Sequence, residues 1–222
     1  LIGDHAMTGD QQKDLYERYK QEAAGTPILT RKLANTDKVN NKIPHDFVGD
    51  IVDTKVGYMG NEIEISLDKK SYITDNELNE VLYTKDSELL RDFAIANYAA
   101  DNNMELLKKA AICGLGCRLL YIDGEGNIRY VNVDPWECIF IYDRSIYEPQ
   151  YALRYYSVEI LRNGRAGKVE KETVWRVEWY DSVNVTFFIQ TKEDGDFIPD
   201  MTEEGVDSNG MKPHMFSGLP LI

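Results

Sequence analysis

Three aspartates, Asp46, Asp50 and Asp53, stand four and three residues apart beside His45. On a helix this spacing puts all three carboxylates on one face. Such a face could hold Mg²⁺ for phosphoryl-transfer or nuclease chemistry. It lies opposite an apolar stripe, however, so a solvated or partner-facing surface is the simpler reading, and nothing elsewhere supplies an obvious second metal half-site. Asp123, Glu125 and Asn127 alternate like the first ligands of a calcium loop. That loop needs glycine at its sixth position and a bidentate Glu at its twelfth, where this chain has Ile128 and Asp134. A hairpin turn explains the three residues without a metal.

Gly114-Leu115-Gly116-Cys117-Arg118-Leu119 begins like a dinucleotide fingerprint but lacks the third glycine. It also ends a helix and opens a strand, the reverse of the context that cradles a phosphate. His5, His45 and His214 fall in no triad spacing, and there is no G-x-S-x-G. Cys113 and Cys117 are four apart rather than C-x-x-C, and Cys138 makes the count odd. Buried free thiols in a reducing cytoplasm are the expectation. No catalytic residue, cofactor site or metal site is assigned, which argues against an enzyme.

The elements around these residues fall into two halves. Asp10 to Ala24 reads as a helix stopped by Gly25 and Pro27, and residues 26–43 are polar, with a turn signal at Asn40-Asn41. A second helix is expected from Pro44 to about Val56, with Pro44 at its first position, Asp46 near its positive end, and Gly57 and Gly60 at its exit. Phe47, Val48, Ile51, Val52 and Val56 form its apolar stripe. Asp86 to Gly114 reads as one or two helices with a break at Asp101-Asn102-Asn103, closed by Gly114 and Gly116. From Cys117 the period changes from 3.6 to 2. CRLLYID and NIRYVNV flank the turn Gly124-Glu125-Gly126 as a hairpin. Further strands are expected at Cys138 to Tyr142, Tyr151 to Val158, Glu172 to Tyr180 and Asn184 to Gln190. Residues 192–213 read as a long exposed acidic loop. The expected class is α+β: helices over about 1–116, then a mostly antiparallel sheet over about 117–222.

The whole chain has 222 residues, 25 Lys and Arg against 38 Asp and Glu, and a net charge of −13. A chain that wraps DNA phosphates usually carries a basic patch, so tight DNA binding is not expected. No apolar run approaches the roughly 18 residues that span a bilayer, and the N-terminus lacks the pattern of a signal peptide. The 14 tyrosines and three tryptophans cluster in the strand region, where core and interface outrank a base-stacking platform.

Several segments, in order, resemble the N-terminal half of a bacteriophage portal protein of the tailed-phage type common in Gram-positive hosts. Tyr16-Glu17-Arg18-Tyr19 with Gly25, Ile28, Leu29 and Arg31 is similar to the family's tyrosine pair, glycine and I-L-x-R stretch. Asn40, Asn41 and Ile43, then Ile51-Val52-Asp53, Lys55, Tyr58 and Gly60 resemble its next block. Pro135 with Ile139-Phe140-Ile141-Tyr142-Asp143 resembles its P-x-x-x-F-x-I-Y-D strand, and Tyr151-Ala152-Leu153-Arg154-Tyr155-Tyr156 the strand after it. His214, Phe216, Gly218 and Pro220-Leu221-Ile222 resemble a closing H-x-F-G-x-x-P-[VIL]-I, with the glycine one place late.

The resemblance implies a structural, non-enzymatic subunit of a homo-oligomeric ring of about twelve copies at one capsid vertex of the virion, assembled in the host bacterial cytoplasm. DNA would pass through the ring during packaging and ejection without tight, sequence-specific binding. The implied partners are terminase, capsid and scaffold proteins, and the head–tail adaptor, with no membrane and no cofactor. Residues 1–222 would form the wing; the stem, clip and crown that follow in the family are not in this sequence. Two other readings remain open: a divalent-metal phosphoesterase or nuclease using Asp46, Asp50 and Asp53, and a non-enzymatic adaptor module.

Overall fold

A computed structural model describes residues 2–24, 32, 41–43, 45–60, 65–68, 77–143, 148–163, 169–190 and 195–222. Its helices are α1 (Ile2–Ala23), α2 (Phe47–Gly60), α3 (Glu77–Ala96) and α4 (Ala99–Cys113). The strands follow: β1 (Cys117–Ile122), β2 (Ile128–Val133), β3 (Cys138–Ile141), β4 (Tyr151–Asn163), β5 (Val169–Tyr180), β6 (Asn184–Gln190), β7 (Ile198–Pro199) and β8 (Met211–Pro213). The fold is α+β, helices first and antiparallel sheets after, as the change of period requires. The chain divides into two compact units: residues 1–10, 117–122 and 133–222, and residues 11–116 and 123–132.

Local chemistry moves several boundaries. Helix α1 begins at Ile2, well before the expected Asp10. Gly9 allows this, because a Cβ there would stand 3.2 Å from both the Trp136 carbonyl and the His5 ring. Helix α2 begins at Phe47, with Asp46 as its cap: the Asp46 carboxylate accepts the Gly49 N–H at 2.7 Å. It runs through Gly57 to Gly60, past the expected end near Val56. Pro44, like Gly25, Pro27, Ile28, Leu29, Arg31 and Asn40, lies outside the described residues.

The break between α3 and α4 falls at Asn97-Tyr98, four residues before the expected Asp101. Tyr98 takes a left-handed conformation (φ 49°). Asn97 is buried, and its side-chain amide bonds the backbone of both α3 and β2. Its Nδ2 donates to the Phe93 and Ile128 carbonyls at 2.9 and 3.2 Å, and its Oδ1 accepts the Tyr130 N–H at 3.1 Å. The helix thus breaks where one side chain can fasten it to β2. At the other end of α4, Gly114 (φ 79°) donates to the Ala110 carbonyl and closes the helix as expected.

Strands β1 and β2 form a two-stranded sheet around the expected turn. The larger sheet runs β3-β4-β5-β6-β7, with β8 also paired to β6. In β4 and β5, Arg154 stands opposite Glu178 and Tyr156 opposite Arg176, so these four side chains share one face. Cys117, Leu119, Val133, Cys138, Ala152, Tyr180, Val185 and Leu221 pack as one core cluster. Ile139, Leu153 and Val177 form a second cluster, with Ile2, Tyr155, Trp179 and Phe188 against it.

The acidic stretch 192–213 is not the uniform loop expected. Strands β7 and β8 both pair with β6, and Asp200 is almost fully buried. The Asp207 carboxylate accepts the N–H groups of Asn209 and Met211 at 2.8 and 2.9 Å. Gly210 (φ 74°) lets the chain close on the Phe187 carbonyl, which a Cβ would approach to 2.7 Å. Here aspartates make the turn, a use that composition alone does not reveal. Among the described residues, no helix is long and apolar enough to cross a membrane.

Candidate functional site

The three aspartates of α2 are each turned to a different task. Asp46 caps the helix, Asp50 lies 3.9 Å from the His45 ring nitrogen, and Asp53 lies 3.6 Å from Lys108 Nζ. Among the described residues, no group of three or more His, Cys, Asp or Glu is placed to hold a metal ion. What the structure assembles instead is Asp53 of α2, Tyr19 of α1 and Lys108 of α4. The ammonium of Lys108 sits 5.4 Å from the Tyr19 ring centre. Hydrogen bonding to Tyr19 and the nearby Asp53 charge raise the Lys108 pKa, against the opposing effect of burial.

The other motifs also resolve into fold chemistry. Asp123 accepts the N–H groups of Glu125 and Asn127 at 3.0 and 2.8 Å and binds Arg129 Nε at 3.0 Å. The bond from the Asn127 backbone and then that from Arg129 hold its carboxyl at about 2. Gly114 and Gly116 lie between a helix and a following strand, and a Cβ at Gly116 would meet the Leu106 carbonyl at 3.0 Å. The three cysteines are buried thiols, as expected. A hydrogen bond with Cys117 and burial push the Cys138 thiol far above the usual range, so it stays an unreactive S–H.

The histidines do not converge. The His5 ring meets Tyr155 edge-on at 5.9 Å, and burial lowers its pKa. His45 stacks on Phe47 at 3.9 Å. His214 bonds the Asp181 carbonyl at 3.0 Å through Nε2, while its Nδ1 accepts the Phe216 N–H at 3.1 Å. Tyr155 stacks on Trp175 and Tyr151 lies beside Trp179, so both tryptophans belong to aromatic packing on one sheet face.

A charged network on β4 and β5 escaped the sequence reading. Arg154 donates from Nε and a terminal nitrogen to Glu137 at 3.1 Å and lies 3.8 Å from buried Glu178. Tyr156 and Tyr180 donate to the two Glu178 oxygens at 2.8 and 2.7 Å. Burial raises the Glu137 pKa, with Arg154 opposing, and burial beside Glu178 raises both tyrosines. Nearby, Arg176 binds Glu203 at 2.9 Å and lies 3.6 Å from buried Asp200. The available signal was charge at alternate positions of apolar strands: Arg154, then Arg176 and Glu178.

The resemblance motifs occupy positions that fix the chain's path. Pro135 is buried and opens the 3-10 turn Pro135–Glu137 before β3. Gln150 donates to Asp143 at 2.9 Å. The closing segment pairs with β1: Arg118 and Ile222 exchange backbone hydrogen bonds at 2.7 and 2.9 Å, and Leu120 donates to Pro220 at 2.9 Å. Tyr16 and Tyr19 stack at 6.5 Å on α1. None of these arrangements sets a nucleophile against a base.

The family model described as "Phage portal protein, SPP1 Gp6-like" matches residues 1–222. The chain belongs to this phage portal protein family. No curated protein matches it. The family is structural, and a portal subunit is a component of the phage capsid that assembles into an oligomeric ring.

Proposed function

We propose that residues 1–222 form the wing of a portal ring of about twelve subunits, through which phage DNA enters and leaves the capsid. The ring would meet capsid and scaffold proteins, dock the terminase during packaging and later hold the head–tail adaptor. The family match over residues 1–222 carries this reading. The net charge of −13 supports it, since a duct through which DNA slides should not grip phosphates. The engagement of Asp46 with backbone and of Asp53 with Lys108 favours a structural role for the acidic face of α2.

A nonsense mutation in the gene, in a phage that carries it, tests the reading. The expected result is capsids without packaged genome, with packaging restored by the gene supplied in trans. Normal yields of DNA-filled particles from the mutant would overturn it.

A further inference from the structure

From Glu77 to Cys113 the chain contains neither glycine nor proline, and alanines flank the α3–α4 corner at Ala96, Ala99 and Ala100. Local preference over this stretch is for one unbroken helix. The helix nonetheless breaks at Asn97-Tyr98, where Tyr98 enters the left-handed region (φ 49°, ψ 49°) that disfavours a Cβ. Tyr98 is 74% exposed, so burial of its ring does not offset that conformation. The hold comes from residues 123–132, which belong to the same compact unit as α3 and α4. Asn97 bonds the Ile128 carbonyl and the Tyr130 N–H, and Arg129 Nη1 donates to the Ala96 carbonyl. Arg129 is itself held by Asp123 at 3.0 Å.

Two further bonds complete the corner. The Asn97 carbonyl accepts the Asn102 side-chain amide at 2.7 Å, and the Ile95 carbonyl accepts the Tyr98 N–H at 3.1 Å. In an unbroken helix the carbonyls of Ile95, Ala96 and Asn97 would instead accept the N–H groups of Ala99, Ala100 and Asp101. Local sequence and tertiary contacts therefore favour opposite arrangements of the same residues, the condition for two states rather than one. We propose that the α3–α4 corner is a conformational hinge strapped by β2. With Asn97 and Arg129 fastened the helix is broken; with them released, Glu77–Cys113 closes into one continuous helix and α3 changes direction. The strap continues through Asp123 into the exposed turn Gly124–Gly126, the place from which a contact would work it.

Amide hydrogen exchange on the folded protein tests the hinge. In the parent, the N–H groups of Ala99, Ala100 and Asp101 begin a helix and should exchange fast. Asn97→Leu and Arg129→Met release the strap, and each should slow these three amides by about tenfold or more, because closure gives each a carbonyl one turn back. Tyr98→Gly relieves the left-handed residue, so it should leave them fast and raise the melting temperature. Spin labels on Leu82→Cys and Glu105→Cys, in a chain whose native thiols are buried, give the long-range reading. The strap variants should show roughly 35 Å, the span of continuous helix at about 1.5 Å per residue, and the labelled parent a shorter distance. Unchanged exchange from Ala99 to Asp101 in both strap variants would overturn the hinge, and so would a melting temperature lowered by Tyr98→Gly. If Asn97→Leu does not fold, Arg129→Met decides on the same readings.

Discussion

In the unit built on the six-stranded sheet, Leu221, Val174, Cys117 and Ala152 are fully buried, and even the charges of β4 and β5 find partners. The helical unit is organised differently. Val52, Val56 and Cys113 are buried there, while Leu15, Phe47, Ile51, Leu89 and Ile95 stay exposed on three helices. Both units leave apolar side chains exposed, Leu161, Val183, Ile198 and Met215 among them on the sheet unit, but among the described residues most of the buried core belongs to the sheet unit. A subunit of a closed assembly needs a part that holds its shape, and that core provides one.

The sharpest test of this contrast compares two aliphatic truncations. Leu221→Ala should cost about 3–4 kcal/mol in denaturant unfolding, because it opens a void in the sheet core. Ile51→Ala should change the stability of unassembled protein by less than about 0.5 kcal/mol. Equal costs would erase the distinction between the units. The charged network comes next. Arg154→Met keeps much of the side-chain volume but leaves Glu137 and Glu178 without their cation, and should cost about 2–3 kcal/mol. Adding Glu178→Gln should recover part of that loss.

A smaller effect belongs to the hairpin turn. Asp123 has its carboxyl held at about 2, below the ordinary 3.8, so its contribution is complete above 3.8 and is lost as pH falls through about 2. Asp123→Asn should therefore melt below the parent at pH 7, with the gap closing between pH 4 and pH 2. A gap that stays constant over this range would remove the charge from the explanation. Smallest of all should be the response to nucleic acid. Duplex DNA at physiological salt should leave the protein unbound in a filter or anisotropy assay, and submicromolar binding with a steep salt slope would contradict the sliding-channel argument.

The order of elements was legible because hydrophobic period changes at Cys117, and the turn at Gly124–Gly126 and the cap at Gly114 follow from residue type alone. Boundaries decided by one long-range contact were not legible. Nothing local distinguishes Asn97 from Asn102, yet only Asn97 reaches both Ile128 and Tyr130. The start of α1 depends likewise on Gly9 lying against Trp136, over a hundred residues away. The acidic set of α2 was placed on one helix face by spacing, but its roles depend on partners, and Lys108 lies on another helix. The Arg154–Glu178 pair was hidden for the same reason, since strand register is set by the whole sheet. The family motifs pointed to the portal role where no site chemistry did, since a fold by itself does not name a function.

The most direct test of the portal reading is the mass and shape of the protein expressed from its whole gene, read by sedimentation and electron microscopy under assembly conditions. The account predicts closed rings of about twelve subunits with an axial channel. A monomer or a discrete dimer under those conditions would contradict it.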